Sequence, residues 1–458
     1  MGGEMAPGKR LPGASSEQLL DLRVDDMNDE GFGVAETGGR ETWIPGAFPG
    51  ERVRARPRRG FGEILLADLI EVLEPDADRT RSGPACEPGC AGCPFLQLKY
   101  SAQLRFKQER VREALRQVPN ARSLIILPIR PADPLLGYRA TAKLSVSVSG
   151  RQAKVGLFRW GTHTVETTTR CPTHHPLVNA IAEAITLELE RQPARRGASP
   201  WLRHVVIRVS PALTRAMVTF VVTRRDRALV TISKGLQRRI PEVVSIHENL
   251  NQGSGPLVFG PETRKLWGYP DLLDQVGERR VLLSPTSFFQ AHHGQAAWIY
   301  ELVRQWAGLR VADSAVDVYC GVGGITMALA RDAGQVTGVE ASRDAVRDAR
   351  RNAELNSLDN CRFRVADAAR LTEALRVRDH PAAVTLNPPR AGAGARVLEQ
   401  VASLKPSRLV YVSCNPETLA ADIRRLAGLG FIPLEAQPVD MFPQTPHVET
   451  VVRFGPLE

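Results

Sequence analysis

Residues 315–324 read Ala315-Val316-Asp317-Val318-Tyr319-Cys320-Gly321-Val322-Gly323-Gly324. A short, mostly β-branched run ends in a glycine turn, and a helical pattern opens near Ile325. Strand, glycine turn and helix in that order form the first unit of a parallel α/β sheet, because glycine lets a ligand approach the backbone where the helix begins. The same alternation runs on from about residue 285. Gln335 to Glu340, Val384 to Leu386 and Leu409 to Val412 read as further strands, each ending in a polar turn.

These strand ends carry the chemistry. Glu340 closes the second strand, roughly 20 residues after the glycine turn, where a carboxylate can bond ribose hydroxyls. Asp367, in Val365-Ala366-Asp367, is placed to contact an adenine amino group. The last glycine of a Gly-x-Gly-x-x-Gly fingerprint is missing, so the turn fits S-adenosylmethionine better than a dinucleotide. Two more strand ends follow, Asn387-Pro388-Pro389-Arg390 and Ser413-Cys414-Asn415-Pro416, where proline removes a donor and forces a turn. Finally, Asp440-Met441-Phe442-Pro443-Gln444-Thr445-Pro446-His447-Val448-Glu449 leads into a terminal strand, Thr450 to Phe454. Four polar loops on one sheet outline a single active-site rim. A thiol at the carboxyl end of a buried strand, Cys414, lies where α/β sheets place their ligands. Its plain alternative is a small buried hydrophobe.

Upstream the pattern changes. Residues 18–74 read as short strands broken by glycine turns, the mark of a small OB-like β-barrel. In the strand opening near Glu51, Arg52, Arg54, Arg56 and Arg58 alternate with Val53, Ala55 and Pro57, so the four guanidiniums share a face. Such a row suits a phosphate backbone, or else guards a sheet edge. The 458 residues carry a net charge of +10 and a pI near 9.5, which favours an anionic partner, with RNA the expected one. No apolar run approaches the roughly 18 residues that span a bilayer. The polar N-terminus lacks a signal-peptide core, so the chain is expected to be cytoplasmic, without a membrane partner and monomeric. Four regions result: a disordered tail (1–16), the barrel (17–75), a central α+β domain (76–284) and a Rossmann-like domain (285–458).

Seven cysteines in such a chain argue against a disulfide framework. Cys86, Cys90 and Cys93 fall together in Pro84-Ala85-Cys86-Glu87-Pro88-Gly89-Cys90-Ala91-Gly92-Cys93-Pro94, and Cys171 is the expected fourth ligand. Four thiolates can hold zinc or an iron–sulfur cluster, and spacing does not separate the two. The same three-cysteine spacing occurs in radical enzymes that cleave S-adenosylmethionine. Gly92 stands where those carry an aromatic residue, and a basic helix follows instead of a strand–helix barrel. In that helix Leu104, Val111, Leu115 and Val118 form an apolar stripe, surrounded by Arg105, Lys107, Arg110, Arg112 and Arg116.

Taken together, Ser413-Cys414-Asn415-Pro416, Asp440 to Glu449 and Phe288-Phe289-Gln290 resemble the RNA uracil-C5 methyltransferases. The resemblance is to the branch with an N-terminal TRAM domain and a [4Fe-4S] cluster, similar to enzymes of 23S ribosomal RNA. It covers nearly the whole chain after the tail. It implies that Cys414 is the nucleophile and Glu449 the base, and that Cys86, Cys90, Cys93 and Cys171 hold the cluster. Gln290, Tyr319, Gly321, Glu340, Asp367 and Asn387 then line the S-adenosylmethionine and uracil pocket. Three residues separate the first two cluster cysteines, where many members have five. Asn387 replaces the aspartate of much of the family, a form found in a ribosomal-RNA-modifying subgroup, and this departure bears on the subgroup more than on the activity; the resemblance implies ribosomal rather than transfer RNA as substrate.

The chemistry needs both reacting residues. C5 of uracil is a weak nucleophile, and a thiolate added at C6 makes an enolate that concentrates charge on C5. A base must then remove the C5 proton. An ordinary thiol is only about 3% ionised at neutral pH, so activation is expected, from the sulfonium or from turn amides. The buried target base must be flipped or lie in a loop. Two alternatives are an amino-group methyltransferase, in which Cys414 has no role, and a non-catalytic RNA-binding iron–sulfur protein.

Overall fold

Three large sheets and one hairpin organise the chain. The structure, a computed structural model, describes residues 19–62, 64–80, 86, 90, 92–192, 201–253, 255, 257–375 and 380–456, with the side chains of 59–61 excepted. The tail expected at 1–16 lies outside the described residues.

The first sheet has six strands in the order Leu20–Arg23, Arg52–Phe61, Ile64–Glu74, Arg40–Ile44, Gly33–Thr37 and Asp26–Met27. Its two outer strands are consecutive in the chain, joined by Val24-Asp25, so the sheet returns to the segment from which it starts. Val24 donates to Glu51 on one side and Asp25 to Val34 on the other, both at 2.9 Å. Leu22, Val24, Ile44, Val53 and Ala55 fill the inside. Strand alternation therefore turns Arg52, Arg54, Arg56 and Arg58 outward.

The second sheet has seven strands, ordered Val165–Thr167, Gln152–Phe158, Thr141–Ser149, Leu202–Ser210, Arg215–Val222, Val243–Leu250 and Glu262–Gly268. All neighbours are antiparallel except Arg215–Val222 and Val243–Leu250, which run parallel through the helix Ala228–Arg239. That helix and Pro176–Glu190 cover one face, packing Ile181, Ile185, Ile232 and Leu236 on Leu144, Val205, Ile207 and Phe220.

The third sheet has eight strands. Cys361–Val365, Gln335–Glu340, Ser314–Val318, Ala383–Leu386 and Arg408–Ser413 are parallel in that spatial order. Glu449–Pro456 then runs antiparallel beside Arg408–Ser413, followed by Phe431–Val439 and Ile125–Ile126. The near-continuous apolar strands are buried on both faces, as a parallel sheet between helices requires. The strand order reverses between Ser314–Val318 and Ala383–Leu386, and open α/β sheets bind ligands at the carboxyl ends of the strands beside such a reversal.

Packing divides the chain differently from a boundary at 284. Ile125–Ile126 pairs with Phe431–Val439. The helix Tyr100–Leu115 buries Val111 and Leu115 in the same core as Leu409, Tyr411 and Phe454. The hairpin Leu272–Val276 and Arg279–Leu283 places Val276, Val281 and Leu283 in the core on the sheet's other side. Segments assigned from sequence to the central region thus pack on the third sheet. Lys107, read as part of the basic surround of its helix, is fully buried. Among the described residues no helix is long and apolar enough to cross a membrane.

Candidate active site

The site grows from the ends of the third sheet. Asp317, fully buried beneath the glycine turn, accepts hydrogen bonds from the hydroxyls of Thr326 (2.6 Å) and Thr385 (2.7 Å). It ties the turn to the neighbouring strand, although burial pushes its carboxyl up to about 6 against those bonds. Tyr319 follows with φ 65°, a left-handed conformation rare outside glycine. Its amide is held by Val339 O at 2.9 Å.

The glycines of the turn do different work. A Cβ on Gly324 would meet the Tyr300 ring at 2.7 Å, so its smallness serves packing. Gly321, with φ 53°, has open space where a Cβ would stand. Its amide donates to Glu340 Oε2 at 3.2 Å, and Glu340 Oε1 accepts from Ser342 N at 2.8 Å. Burial, then the carboxylates of Asp367, Asp422 and Glu340, push the Tyr319 hydroxyl up to about 12. Asp367 is exposed and caps Ala369 N at 2.9 Å. Asn387 sits beside the switch point, its amide on Val318 O at 3.3 Å. A carboxylate at a ribose-distance strand end, an open glycine and polar groups around a tyrosine fit S-adenosylmethionine. Gln290 is half-buried just before the helix His293–Ala307, and no hydrogen bond of the described residues ties its side chain to Cys414 or Glu449.

An open cavity of about 610 Å³ adjoins Asp367, lined by Arg364, Val365, Ala366 and Arg370 among others. Cys414 and Glu449 do not line it, so it lies at the outer edge of the sheet, away from the thiol.

Cys414 and Glu449 meet through strand register. Arg408–Ser413 pairs antiparallel with Glu449–Pro456, with Val412 opposite Val451 and Ser413 opposite Thr450. The next position in that register sets Cys414 against Glu449. Asn415 then caps the helix Pro416–Gly428, its side-chain oxygen accepting from Glu417 N (3.0 Å) and Thr418 N (3.4 Å). Burial, then the Glu449 carboxyl, push the Cys414 thiol up to about 11, while Arg390 pulls it down. Burial lifts Glu449 to about 7, and among the described residues no hydrogen bond or cation offsets that.

Arg390 is the residue to which sequence reading gave no part. It lies 3.2 Å from His447 Nδ1. Burial and the cations Arg390, Lys107, Arg110 and Arg139 push His447 down to about 3, so its ring is neutral, accepting at Nδ1 from Arg390 and protonated at Nε2. Thr418 holds the Arg390 carbonyl at 3.0 Å, and Asp422 holds Ala393 N at 2.7 Å, pinning this loop to the helix behind Cys414. The signal in the sequence is a cation two residues after proline at a strand end.

The four expected cluster cysteines gather. Cys93 and Cys171 flank the Thr173 hydroxyl, at 3.5 and 3.3 Å. A hydrogen bond from Cys86 lowers Cys90 to about 6 and raises Cys86, and Cys171, Cys93 and Cys90 all act on Cys86. Burial raises Cys171, but hydrogen bonds and charge from His174, with the Thr173 hydroxyl, together outweigh it, leaving about 7. His175 caps the helix Pro176–Glu190, accepting from Leu177 N at 3.2 Å, the helix-start role expected of it. Among the described residues no three His, Cys, Asp or Glu side chains are arranged around a single metal ion.

The arginine row is largely neutralised. Arg54 forms a bidentate pair with Asp21 (2.8 and 3.1 Å) and reaches Glu71. Arg52 pairs with Glu74 at 3.1 Å and Arg58 with Asp68 at 3.0 Å. Exposed Arg56 has no ion-pair partner among the described residues. Arg52 and Arg54 lie between Leu20–Arg23 and Ile64–Glu74, so edge protection is not their role; the pairing with Leu20–Arg23 stops at Ala55, before Arg56 and Arg58.

A family model described as tRNA (Uracil-5-)-methyltransferase matches residues 286–455. An RNA methyltransferase of Geobacter sulfurreducens, described as uncharacterized, is 39% identical over 448 residues, covering 96% of this chain and 90% of its own. Another, from Halalkalibacterium halodurans, is 31% identical over 456 residues, covering 97% and 98%. The crystal structure of Pyrococcus abyssi tRNA (uracil-54, C5)-methyltransferase, in complex with S-adenosyl-L-homocysteine, aligns with a TM-score of 0.73 at 26% identity, covering 95% of this chain and 99% of that one. The chain is an S-adenosylmethionine-dependent RNA methyltransferase and belongs to the uracil-C5 family.

Proposed function

We propose that the protein methylates C5 of a uridine in RNA through a covalent bond between Cys414 and C6. The observation that carries this is the antiparallel register that sets Cys414 against Glu449. The Cys414 thiolate adds to C6, and the C5–C6 π electrons move onto the C4 oxygen as an enolate. Bound S-adenosylmethionine supplies an electrophilic methyl on sulfur. C5 takes that methyl as its bond to sulfur breaks. Glu449 then accepts the C5 proton, the freed pair re-forms the C5–C6 double bond, and the bond from C6 to Cys414 breaks. A carboxyl near 7 is suited to accept a proton at neutral pH. Arg390 and the start of the helix Pro416–Gly428 favour the thiolate, opposing the burial that holds the thiol protonated.

Three finer readings accompany this. Gln290, Tyr319, Gly321, Glu340, Asp367 and Asn387 line the S-adenosylmethionine and uracil pocket. Cys86, Cys90, Cys93 and Cys171 hold a [4Fe-4S] cluster. The six-stranded sheet is a TRAM-type barrel that contributes to RNA binding, and the asparagine at 387 favours ribosomal RNA, whereas the Pyrococcus abyssi relative is a transfer-RNA enzyme.

The test uses in vitro transcripts of ribosomal and transfer RNA with methyl donor. Cys414→Ala is expected to give no 5-methyluridine and no covalent RNA band on a denaturing gel, while Glu449→Gln accumulates such a band. A band with Cys414→Ala, or methyladenosine as product, overturns the assignment.

A further inference from the structure

The proposed chemistry uses nothing from the helix Tyr100–Leu115, yet buried polar side chains on that helix converge on the loop that precedes Glu449. Lys107 is fully buried; its Nζ donates to Asp440 Oδ1 at 2.5 Å and to Phe442 O at 3.0 Å. The Tyr100 hydroxyl donates to the other Asp440 oxygen at 2.9 Å. Gln103 grips Gln444 twice: its Nε2 donates to Gln444 Oε1 at 2.8 Å, and its Oε1 accepts from Gln444 N at 2.9 Å. Phe95 N closes the same residue by donating to Gln444 O at 3.1 Å. Gln444 has φ 70°, a conformation a glutamine adopts only when its surroundings impose it. Asp440 is fixed from a further side, its carbonyl accepting from Gln295 Nε2 at 2.9 Å.

A lysine and an aspartate buried together gain little net stability, because desolvation offsets their attraction. What the pair provides is a fixed backbone. A loop bound at Asp440, Phe442 and Gln444 enters the strand Glu449–Pro456 in a single path, and that path sets where the Glu449 carboxyl faces.

We infer that the helix Tyr100–Leu115 positions the base: Lys107 and Gln103 hold the 440–444 backbone so that Glu449 meets the C5 proton. Lys107 is a positioning residue, acting through Asp440 and Phe442. Resting on the covalent reading above, the inference separates two steps. Addition of Cys414 depends on the strand Arg408–Ser413, its capped helix and Arg390, whereas the Lys107 amine bonds Asp440 and Phe442. Removal of the proton depends on the loop. Loss of Lys107 therefore slows release of methylated RNA while covalent addition continues.

The experiment follows full-length Lys107→Met in single-turnover reactions with the ribosomal RNA transcript and methyl donor. The covalent band is read on a denaturing gel and released 5-methyluridine by mass spectrometry. Addition is expected within about twofold of the parent, release about 10- to 100-fold slower, and the band accumulates. The pH midpoint of release also moves; Cys414 and Tyr300 are the titratable groups facing Glu449. Should Lys107→Met melt early, the pair Lys107→Met with Asp440→Leu replaces both charges by apolar groups and keeps the fold; it must show the same accumulation. Equal slowing of addition and release in a variant with parental melting, or unchanged release, overturns the inference. Failure of Glu449→Gln to trap any band overturns the covalent reading instead, so the two failures are distinct.

Discussion

Glu449 lies against the end of the strand that carries Cys414, and burial lifts its carboxyl from 4.5 to about 7. The sign of the stability effect follows. A carboxyl whose folded value is raised penalises the folded state once the unfolded group ionises, so the penalty grows as pH rises from about 4.5 to 7 and is complete above 7. Glu449→Gln is expected to raise stability at pH 8 by up to roughly 3 kcal/mol, the shift converted at 1.36 kcal/mol per unit. The gain should vanish below about pH 4.5, as paired thermal melts at the two pH values will show. Arg390 is the opposite case. It pulls the Cys414 thiol toward ionisation, so Arg390→Ala should slow alkylation of Cys414 by iodoacetamide several-fold at pH 8 without a change in melting temperature. Cys414 was marked in the sequence by the end of a strand pattern beside a polar turn, whereas Glu449 entered only through the family resemblance; the register that brings the two strands together lies in the fold. Arg390 was visible but without a role: its influence comes from facing Cys414 and His447 across two loops, which no local pattern encodes.

The helix Tyr100–Leu115 shows what periodicity can and cannot reveal. Val111 and Leu115 correctly mark its buried face, and Lys107 lies on that face at helical spacing from Val111. A lysine there needs a buried partner, but Asp440 is more than three hundred positions away in the chain. The arginine strand fails in a complementary way. Alternation correctly puts Arg52, Arg54, Arg56 and Arg58 on the outward face, yet Asp21, Glu71, Glu74 and Asp68 on adjacent strands take up three of the four charges. Arg56→Ala is therefore expected to reduce the slope of log affinity against log salt for single-stranded RNA by about 0.7, and Arg52→Ala or Arg54→Ala by much less. Binding isotherms across a salt series decide this. An equal effect at all four positions would mean that RNA displaces the carboxylates. At the helix behind the nucleophile, Asn415→Ala removes a cap and should cost about 1 kcal/mol.

At the scale of the molecule, the segment carrying Cys93 borders the loop that leads to Glu449. Cys93 precedes Pro94-Phe95, whose amide binds Gln444, and the Tyr138 hydroxyl donates to Pro443 O at 3.0 Å beside Arg139. Anaerobically purified protein is expected to contain about four irons per chain with broad visible absorbance. Replacing Cys171 by serine should lower both the iron content and the melting temperature. Stoichiometric zinc without colour would reassign the metal. The strand–helix alternation of the last region was readable and corresponds to the parallel part of the eight-stranded sheet. The exchange of segments between regions was not, because Ile125–Ile126 is too short to mark itself as a strand of a sheet whose other members lie far downstream.

That small strand has a consequence for biosynthesis. Ile125–Ile126 and the helix before it leave the ribosome early, but their pairing partner, Phe431–Val439, is translated only after the whole central sheet. Cys414 likewise gains Glu449 beside it only when Glu449–Pro456 has emerged and paired. Until then a nascent chain exposes the apolar side of its early helix and holds no assembled site. The enzyme is thus inert throughout its own synthesis, and chaperone capture of stalled chains should centre on residues 100–130.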